Sequence, residues 1–234
     1  MPALDGVATG GGTGTPIVTS GNLTCSNTNN VICVAVLNNG AAVSGVTGGG
    51  VTFTSRAIVG TLTELEFWTG FSTAAFNDVV SVAIPGGSSF AHVTAFGMHG
   101  PPSSSYFDVN GSLPATGGSD PLSLSTTAAH TIILGMYRFA STASPTEGSG
   151  FTIIDGSGFM LVEYLEAVTA QTSLSITVGT GAGNANGGIG DALVFAAAGG
   201  SVIKTFGGLA NASTKQVLAV TNASVKTFDG VSNV

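Results

Sequence analysis

The sequence predicts an all-β protein: an antiparallel β-sandwich, jelly-roll-like in type, with an extended C-terminal repeat arm. Short apolar or alternating runs return about every ten residues, which is typical of sandwiches. Gly, Pro, Asn and Ser cluster between these runs, and such residues favour turns. Residues 159–169 are the best helix candidate, but their polarity also alternates and strands are predicted on both sides, so we interpret them as a strand.

Two runs in the first half of the chain are the clearest strands. Residues 31–37, VICVAVL, are apolar throughout, which predicts a strand buried on both faces. Residues 61–69, TLTELEFWT, alternate apart from a break after Thr63, which indicates a β-bulge. Further strands are predicted at residues 17–24, 46–55, 78–84 and 91–98.

The second half of the chain shows the same pattern of short apolar runs separated by turn residues. A long polar loop is expected at residues 103–120, and a Gly- and Asn-rich loop is expected before residue 191. Residues 191–198 are predicted as the last strand of the body. The other strands predicted here are residues 122–126, 130–139, 151–154 and 173–178.

Composition divides the chain into three segments. Residues 1–16 are rich in Gly and Thr and are interpreted as an N-terminal extended arm. Residues 17–199 are the β-sandwich body. Gly199 and Gly200 form a hinge, and residues 200–234, called the arm below, are expected to be an interaction segment.

The arm contains an internal repeat of eleven residues. Each unit has a short alternating run and a turn of small residues, which favours a strand followed by a bend. Three such units cannot bury their own apolar faces, so they need another surface to lie on. The candidate partner-binding residues are the repeated lysines and apolar residues: Lys204, Phe206, Lys215, Val217, Lys226 and Phe228.

Few residues of the chain are charged. They make up 7% of the sequence, whereas about 25% is usual, so the surface is expected to consist of Gly, Ser, Thr, Ala and Asn. No apolar run reaches the roughly 18 residues of a membrane helix, and the first ten residues do not resemble a secretory signal. Such a composition suits an extracellular protein or a subunit of a large assembly. We therefore expect a particle that is assembled inside the cell and later exposed.

The charge is unevenly distributed. Residues 1–200 contain two basic and eleven acidic residues, a formal charge of −9, whereas the rest of the chain has three lysines and one acid, a formal charge of +2. Attraction of this kind favours docking of arms on neighbouring bodies, although salt screens it. The alternative is that the lysines only keep an exposed arm solvated. An acidic chain of this kind argues against nucleic-acid binding.

Titratable residues do not form a recognisable catalytic or metal-binding motif. Cys25 and Cys33 flank an Asn-rich turn and could form a disulfide, but free buried thiols are preferred. The histidines His92, His99 and His130 lack metal-type spacing, so structural roles are expected. We predict no catalytic residues, no metal and no cofactor.

Two acidic pairs could serve glycoside hydrolysis or calcium binding. They are Glu64 with Glu66, and Glu163 with Glu166. Neither pair is accompanied by a clear sugar platform or by a calcium loop. We therefore interpret the pairs as solvated strand faces or as partners of the two body arginines, Arg56 and Arg138.

Four segments of the body, together with the arm, resemble parts of virion proteins of tailed bacteriophages. The body segments are residues 65–84, 91–112, 126–139 and 149–155. The arm is similar to short I-K-x-x-x-G repeats that end some of these proteins, seen as Ile203-Lys204 before Gly207-Gly208 and as Val225-Lys226 before Gly230.

This resemblance implies a non-enzymatic structural protein of the virion. A capsid decoration (cement) protein is the leading interpretation, with a homotrimer as the oligomer and the major capsid protein or other virion proteins as partners. A head-fibre or tail-fibre/adaptor protein is the alternative within the particle. A different alternative is a carbohydrate-binding sandwich module with Trp68, Tyr106 and Phe107 as its stacking surface. A glycosidase or esterase ranks last, because no constellation of residues supports it.

Overall fold

The computed structural model describes residues 3–61, 63–100, 105–141, 144–156, 158–179 and 185–195, together with four two-residue strands beyond residue 204. The described residues contain many strands and no helix, and the strands pair antiparallel. The predicted all-β antiparallel sandwich is therefore confirmed. The chain divides into two compact units, Met1–Ala196 and Ala197–Val234, close to the boundary at residue 199 that composition predicts.

The described residues of the first unit contain seventeen strands. In the order of the chain they are β1 (Ala3–Gly14), β2 (Ile17–Val18), β3 (Leu23–Cys25), β4 (Asn30–Asn38), β5 (Gly45–Thr47), β6 (Phe53–Val59), β7 (Glu64–Ser72), β8 (Phe76–Asp78), β9 (Ser81–Ala83), β10 (Ser88–His99), β11 (Ala115–Gly117), β12 (Leu122–Leu124), β13 (Thr131–Phe139), β14 (Thr152–Asp155), β15 (Met160–Ala167), β16 (Leu174–Ile176) and β17 (Ala185–Val194).

The second unit contains four described strands. They are β18 (Thr205–Phe206), β19 (Leu209–Ala210), β20 (Thr227–Phe228) and β21 (Val231–Ser232).

Residues 3–100 form a first jelly roll. Its large sheet has the order β1-β10-β4-β7-β6, and a smaller sheet, β2-β9-β5, covers the outer face of the large one with the help of the β3-β8 pair. The chain passes repeatedly between large and small sheets, which is the connectivity of a jelly roll. The predicted jelly-roll-like sandwich is present within this half of the chain alone.

Residues 105–195 form a second jelly roll whose large sheet has the same strand order, under a smaller cover. Its large sheet has the order β11-β17-β13-β15-β14, and the β12-β16 pair covers its outer face. The five strands of each large sheet can be numbered in the order in which they occur along the chain. Across both sheets their spatial order is then first, fifth, second, fourth, third. The body is therefore a tandem structural duplication of one jelly roll.

Local details repeat between the two jelly rolls. In each, the edge strand has one extra residue against its neighbour, a bulge at Arg56 in β6 and at Ile154 in β14. Asn29 and His130, with φ of 58° and 55°, stand immediately before the equivalent strands β4 and β13. The tetrapeptide Ala-Thr-Gly-Gly occurs at residues 8–11 and again at residues 115–118. Equivalent strands therefore share pairing, register and part of their sequence.

Three hydrophobic layers hold the sheets of the first unit together. The central layer lies between the two large sheets, and each outer layer lies between a large sheet and its cover. Along β4, Ile32 and Val34 pack outward under the first cover, while Val31 and Cys33 pack inward against the second large sheet. The prediction that residues 31–37 are buried on both faces is confirmed, and each such side chain contributes about 1.5–3 kcal/mol by leaving water.

Several segments differ from the sequence prediction. Residues 3–14, expected to belong to an arm, are paired with β10 as an edge strand of the body. The equivalent strand β11 falls inside the predicted loop 103–120, and β17 begins six residues before residue 191. The predicted strand 17–24 is divided into β2 and β3. By contrast, residues 159–169 contain strand β15, as predicted.

Polar side chains link the two jelly rolls across the central layer. The Arg56 guanidinium donates from Nε to Asp191 Oδ2 at 2.8 Å and from Nη2 to Asp191 Oδ1 at 3.3 Å, and Asp191 is fully buried. On the opposite side, His92 Nε2 lies 2.7 Å from Asp155 Oδ2. Arg138 of the second jelly roll donates to the carbonyl oxygen of Thr63 in the first. Each link joins residues that are far apart in the chain.

Replacing Arg56 with Met should destabilise the body strongly, because it leaves the Asp191 carboxylate buried without its cationic partner. We expect a loss of about 3–5 kcal/mol in the free energy of unfolding, measured by chemical denaturation. Arg138→Met is the matched control: it removes the other body arginine, whose hydrogen bonds go to carbonyl oxygens, and should cost about 1–2 kcal/mol. Adding Asp191→Asn to Arg56→Met should recover part of the loss. Equal losses for the two arginine variants would contradict the role of the buried charge.

Candidate functional site

The arm contains the predicted partner-binding residues. Phe206 and Phe228 lie in described strands, whereas Lys204, Lys215, Val217 and Lys226 lie outside the described residues. β18 pairs with β19, placing Phe206 opposite Leu209, and β20 pairs with β21, placing Phe228 opposite Val231. The same pairing register thus returns after two repeats of eleven residues, and short strands are present at these two places, as predicted.

Turn chemistry explains why these two units form hairpins. Two residues separate the paired positions in each, Gly-Gly at 207–208 and Asp-Gly at 229–230. These dipeptides suit two-residue loops, because such loops require positive φ. The middle unit has Leu-Ala at the equivalent residues 218–219. The arm is therefore a periodic series whose first and third units contain the strongest hairpin signals.

The body uses its two arginines internally. Arg56 binds Asp191, and its guanidinium also lies 3.9 Å from the centre of the Phe107 ring. Arg138 donates to the carbonyl oxygens of Thr63 and Asn186. The hypothesis that the acidic pairs are partners of these arginines is wrong: the carboxylate bound to Arg56 comes from β17, at a distance of 135 residues along the chain.

Two of the predicted solvated glutamates are buried instead. Glu66 accepts hydrogen bonds from the Val43 amide at 2.6 Å and from Trp68 Nε1 at 3.0 Å. Glu163 of the second jelly roll accepts one from the Gly148 amide at 2.8 Å. Each carboxylate holds the loop that follows the central strand of its own jelly roll. Their burial results from the covering sheets, which the alternation of polarity does not reveal.

The two buried glutamates differ in how completely they are bonded. Both oxygens of Glu66 have partners, whereas Glu163 Oε1 is buried without a hydrogen-bond partner among the described residues. Burial raises the pKa of Glu66, and it raises the pKa of Glu163 to about 7, with Glu147 and Asp120 adding repulsion. Glu163 is thus a carboxyl group that changes charge near neutral pH inside an apolar layer.

A recess lined by described residues, called the groove below, lies at a corner of the first large sheet. Its volume is about 520 Å³. Its walls are formed by strands β6 and β7, by the turns before β6 and after β7, and by Tyr106 of the second jelly roll. The lining residues are Gly49, Gly50, Val51, Thr52, Thr54, Thr69, Gly70, Phe71, Ser72, Thr73, Ala74 and Tyr106.

The three predicted stacking aromatics do not share one surface. Trp68 packs outward into the first jelly roll's own core, whereas Tyr106 and Phe107 belong to the central layer. Phe71 instead stacks on Tyr106, with ring centres 6.0 Å apart, and Tyr106 contacts Phe107 at 4.8 Å. The aromatic residue that lies beside Tyr106 and Phe107 is therefore Phe71 and not Trp68. Phe71 was missed because the sequence does not show which face of β7 each aromatic side chain occupies.

The cysteines and histidines have structural surroundings. Cys25 and Cys33 are both buried and free, as predicted, and burial raises the pKa of the Cys25 thiol to about 12. His92 bonds Asp155, and His99 Nδ1 lies 3.1 Å from the Thr28 carbonyl oxygen. Within the described ranges, no three His, Cys, Asp or Glu side chains come together as a metal site. The same residues include no helix long and apolar enough to cross a membrane.

Comparisons with protein-family models, with curated proteins and with solved structures find no match to the chain. Function is therefore argued from the residues and geometry of this protein.

Replacing Glu163 with Gln should stabilise the body at alkaline pH. Because its pKa rises from about 4.5 to about 7 on folding, the protonated carboxyl favours the folded state at low pH, and this contribution is lost as the pH rises through 7. Above pH 8 the neutral amide should raise the free energy of unfolding by roughly 2–3 kcal/mol, with little gain at pH 4.5. Glu166→Gln removes the same charge from an exposed position of β15 and is the control. A pH-independent effect of Glu163→Gln in chemical denaturation would contradict the buried titration.

Proposed function

We propose that this protein is a non-enzymatic structural component of a phage virion, a decoration or cement protein that acts through subunit contacts. The observation that carries the proposal is the periodic arm. Its first and third repeat units contain the same hairpin, and they follow a body that has its own complete core.

A repeated hairpin of this size needs a partner. Two strands of two residues each are too short to be stable alone in water. Their unpaired edges and apolar residues can be satisfied by strand addition to a neighbouring sheet or by packing among copies. The repeat brings Phe206 and Phe228 to equivalent register positions, with Val217 at the matching place in the middle unit. A homotrimer would let three arms bury these residues together.

Charge supports contact between arms and bodies. The arm has a formal charge of +2 and residues 1–200 have −9, while both arginines of the body are engaged internally. Lys204, Lys215 and Lys226 are therefore the cations available for contacts with other subunits or with the major capsid protein. A protein that binds only the assembled shell stabilises the shell by mass action.

Deleting residues 201–234 tests the role of the arm. The truncated body should unfold at the same temperature as the full chain, because its hydrophobic layers lie within the first unit. Its oligomeric state, measured by light scattering, should fall to a monomer, and its occupancy on particles should be lost. An unchanged oligomer and unchanged occupancy would contradict the proposal.

A double substitution in the full-length chain tests the apolar side chains of the hairpins without shortening the arm. Phe206→Ser with Phe228→Ser removes the apolar repeat residues, and Thr205→Ser with Thr227→Ser is the control at the neighbouring positions of the same strands. Only the phenylalanine variant should dissociate the oligomer, because about 1.5–3 kcal/mol of burial is lost per side chain in every copy. Dissociation in both variants, or in neither, would argue against burial of these residues in the assembly.

A further inference from the structure

The groove is an uncovered corner of an otherwise buried sheet face. Thr54, Thr69 and Phe71 share the inner face of the first large sheet, which is covered elsewhere by the second large sheet. Near the end of β7 this cover stops, and Tyr106 of the second jelly roll closes one side of the recess. Small-molecule sites favour such junctions between packed units, and volumes of about 300–1,000 Å³ are usual for them. The groove has the position and the size of a binding site.

Its walls combine hydroxyl groups with an aromatic floor. Thr52, Thr54 and Thr73 are exposed in the groove, and the half-buried Phe71 ring lies beside them. Tyr106 supports this ring by stacking and is itself fixed by a hydrogen bond from its hydroxyl to Thr69 Oγ1 at 3.1 Å. A rigid aromatic surface surrounded by hydroxyls can contact both the C–H face and the hydroxyl groups of a sugar ring.

Glycines allow close packing of the chain beside the groove and leave backbone groups exposed in it. A Cβ at Gly70 would lie 2.4 Å from Val51 Cγ1 and 2.8 Å from the Thr52 carbonyl oxygen, so glycine is needed there for the turn to approach β7. Gly50 has φ of 69°, and a Cβ built on it would meet no atom within 4 Å. Backbone peptide groups are thus accessible beside the hydroxyls, as polar groups that fix a ligand's orientation.

The lining residues include no acidic or basic side chain. An anionic or cationic ligand would lose its hydration there without gaining an opposite charge, so the groove favours a neutral ligand. It also lacks a carboxylic acid for hydrolysis among these residues, so it is suited to binding. From these observations we infer that the groove binds a neutral oligosaccharide, with a pyranose ring on Phe71 and its hydroxyl groups bonded to Thr54 and the neighbouring threonines. This inference does not depend on the role of the arm.

The duplicated jelly roll supplies an internal control. Thr152 of β14 occupies the position equivalent to Thr54, since they pair with the equivalent residues Tyr164 and Thr69. Along β15, Glu166 stands at the position that Phe71 occupies in β7, and Tyr164 stands at the position of Thr69. The equivalent corner therefore has the threonine, but a carboxylate in place of the Phe71 ring.

The test uses the full-length protein on an array of neutral oligosaccharides with gluco, galacto and manno rings, together with sialylated and sulfated ones. The strongest ligand is then titrated by ligand-observed NMR. Binding should be restricted to neutral glycans, and Thr54→Val and Phe71→Leu should each weaken it by about tenfold, as expected for one hydrogen bond or one stacking contact. Thr152→Val should leave the affinity unchanged. Thermal unfolding of each variant shows whether the fold is kept, and the exposed Thr54 provides a variant that leaves the core intact.

Two results would overturn the inference. The first is the absence of binding to any neutral glycan. The second is an equal loss of affinity for Thr54→Val and Thr152→Val. The oligomeric state of the variant that lacks residues 201–234 reports on the proposed virion function, so the two proposals can fail separately.

Discussion

The central apolar layer between the two large sheets is the constraint on which the body depends. Each large sheet has a cover on its outer face, so the inner faces can leave water only against each other. This explains why β4 and its equivalent β13 are apolar on both faces, although most antiparallel strands alternate. It also explains why charged groups at this layer must be paired. Asp191 is fully buried, and Arg56 is its partner because the β6 bulge turns the guanidinium inward.

Because the fold is duplicated, the two jelly rolls can be compared residue by residue. They differ at the buried glutamates, at the bulge and at the groove. Glu66 and Glu163 hold equivalent loops, yet only Glu66 has both oxygens bonded. The bulge carries Arg56 in one copy and Ile154 in the other. The corner beside β7 has an aromatic floor, while its equivalent beside β15 has Glu166. A repeated scaffold thus keeps its packing while single positions acquire separate roles.

The body and the arm divide the work of the protein. The body buries its apolar sheet faces within its own layers, and both of its arginines are bonded inside it. The arm repeats an element too small to be stable alone. This division is the physical basis for proposing an assembly role, and the site proposed in the groove is separate from it.

The sequence by itself determined the all-β class, the doubly buried strand at residues 31–37 and the period of the arm. These features follow from polarity patterns and turn residues that act within about ten positions of one another. Only the tertiary structure decided that β1 and β11 are strands, because their Gly- and Thr-rich residues are held by pairing with β10 and β17 rather than by burial of their own side chains. It also decided the duplication, since loops of different length hide the equivalence of the two halves. The partners of Arg56, His92 and Glu163, and the groove beside Phe71, likewise depend on which sheet faces meet, and that is settled by packing between segments far apart in the chain.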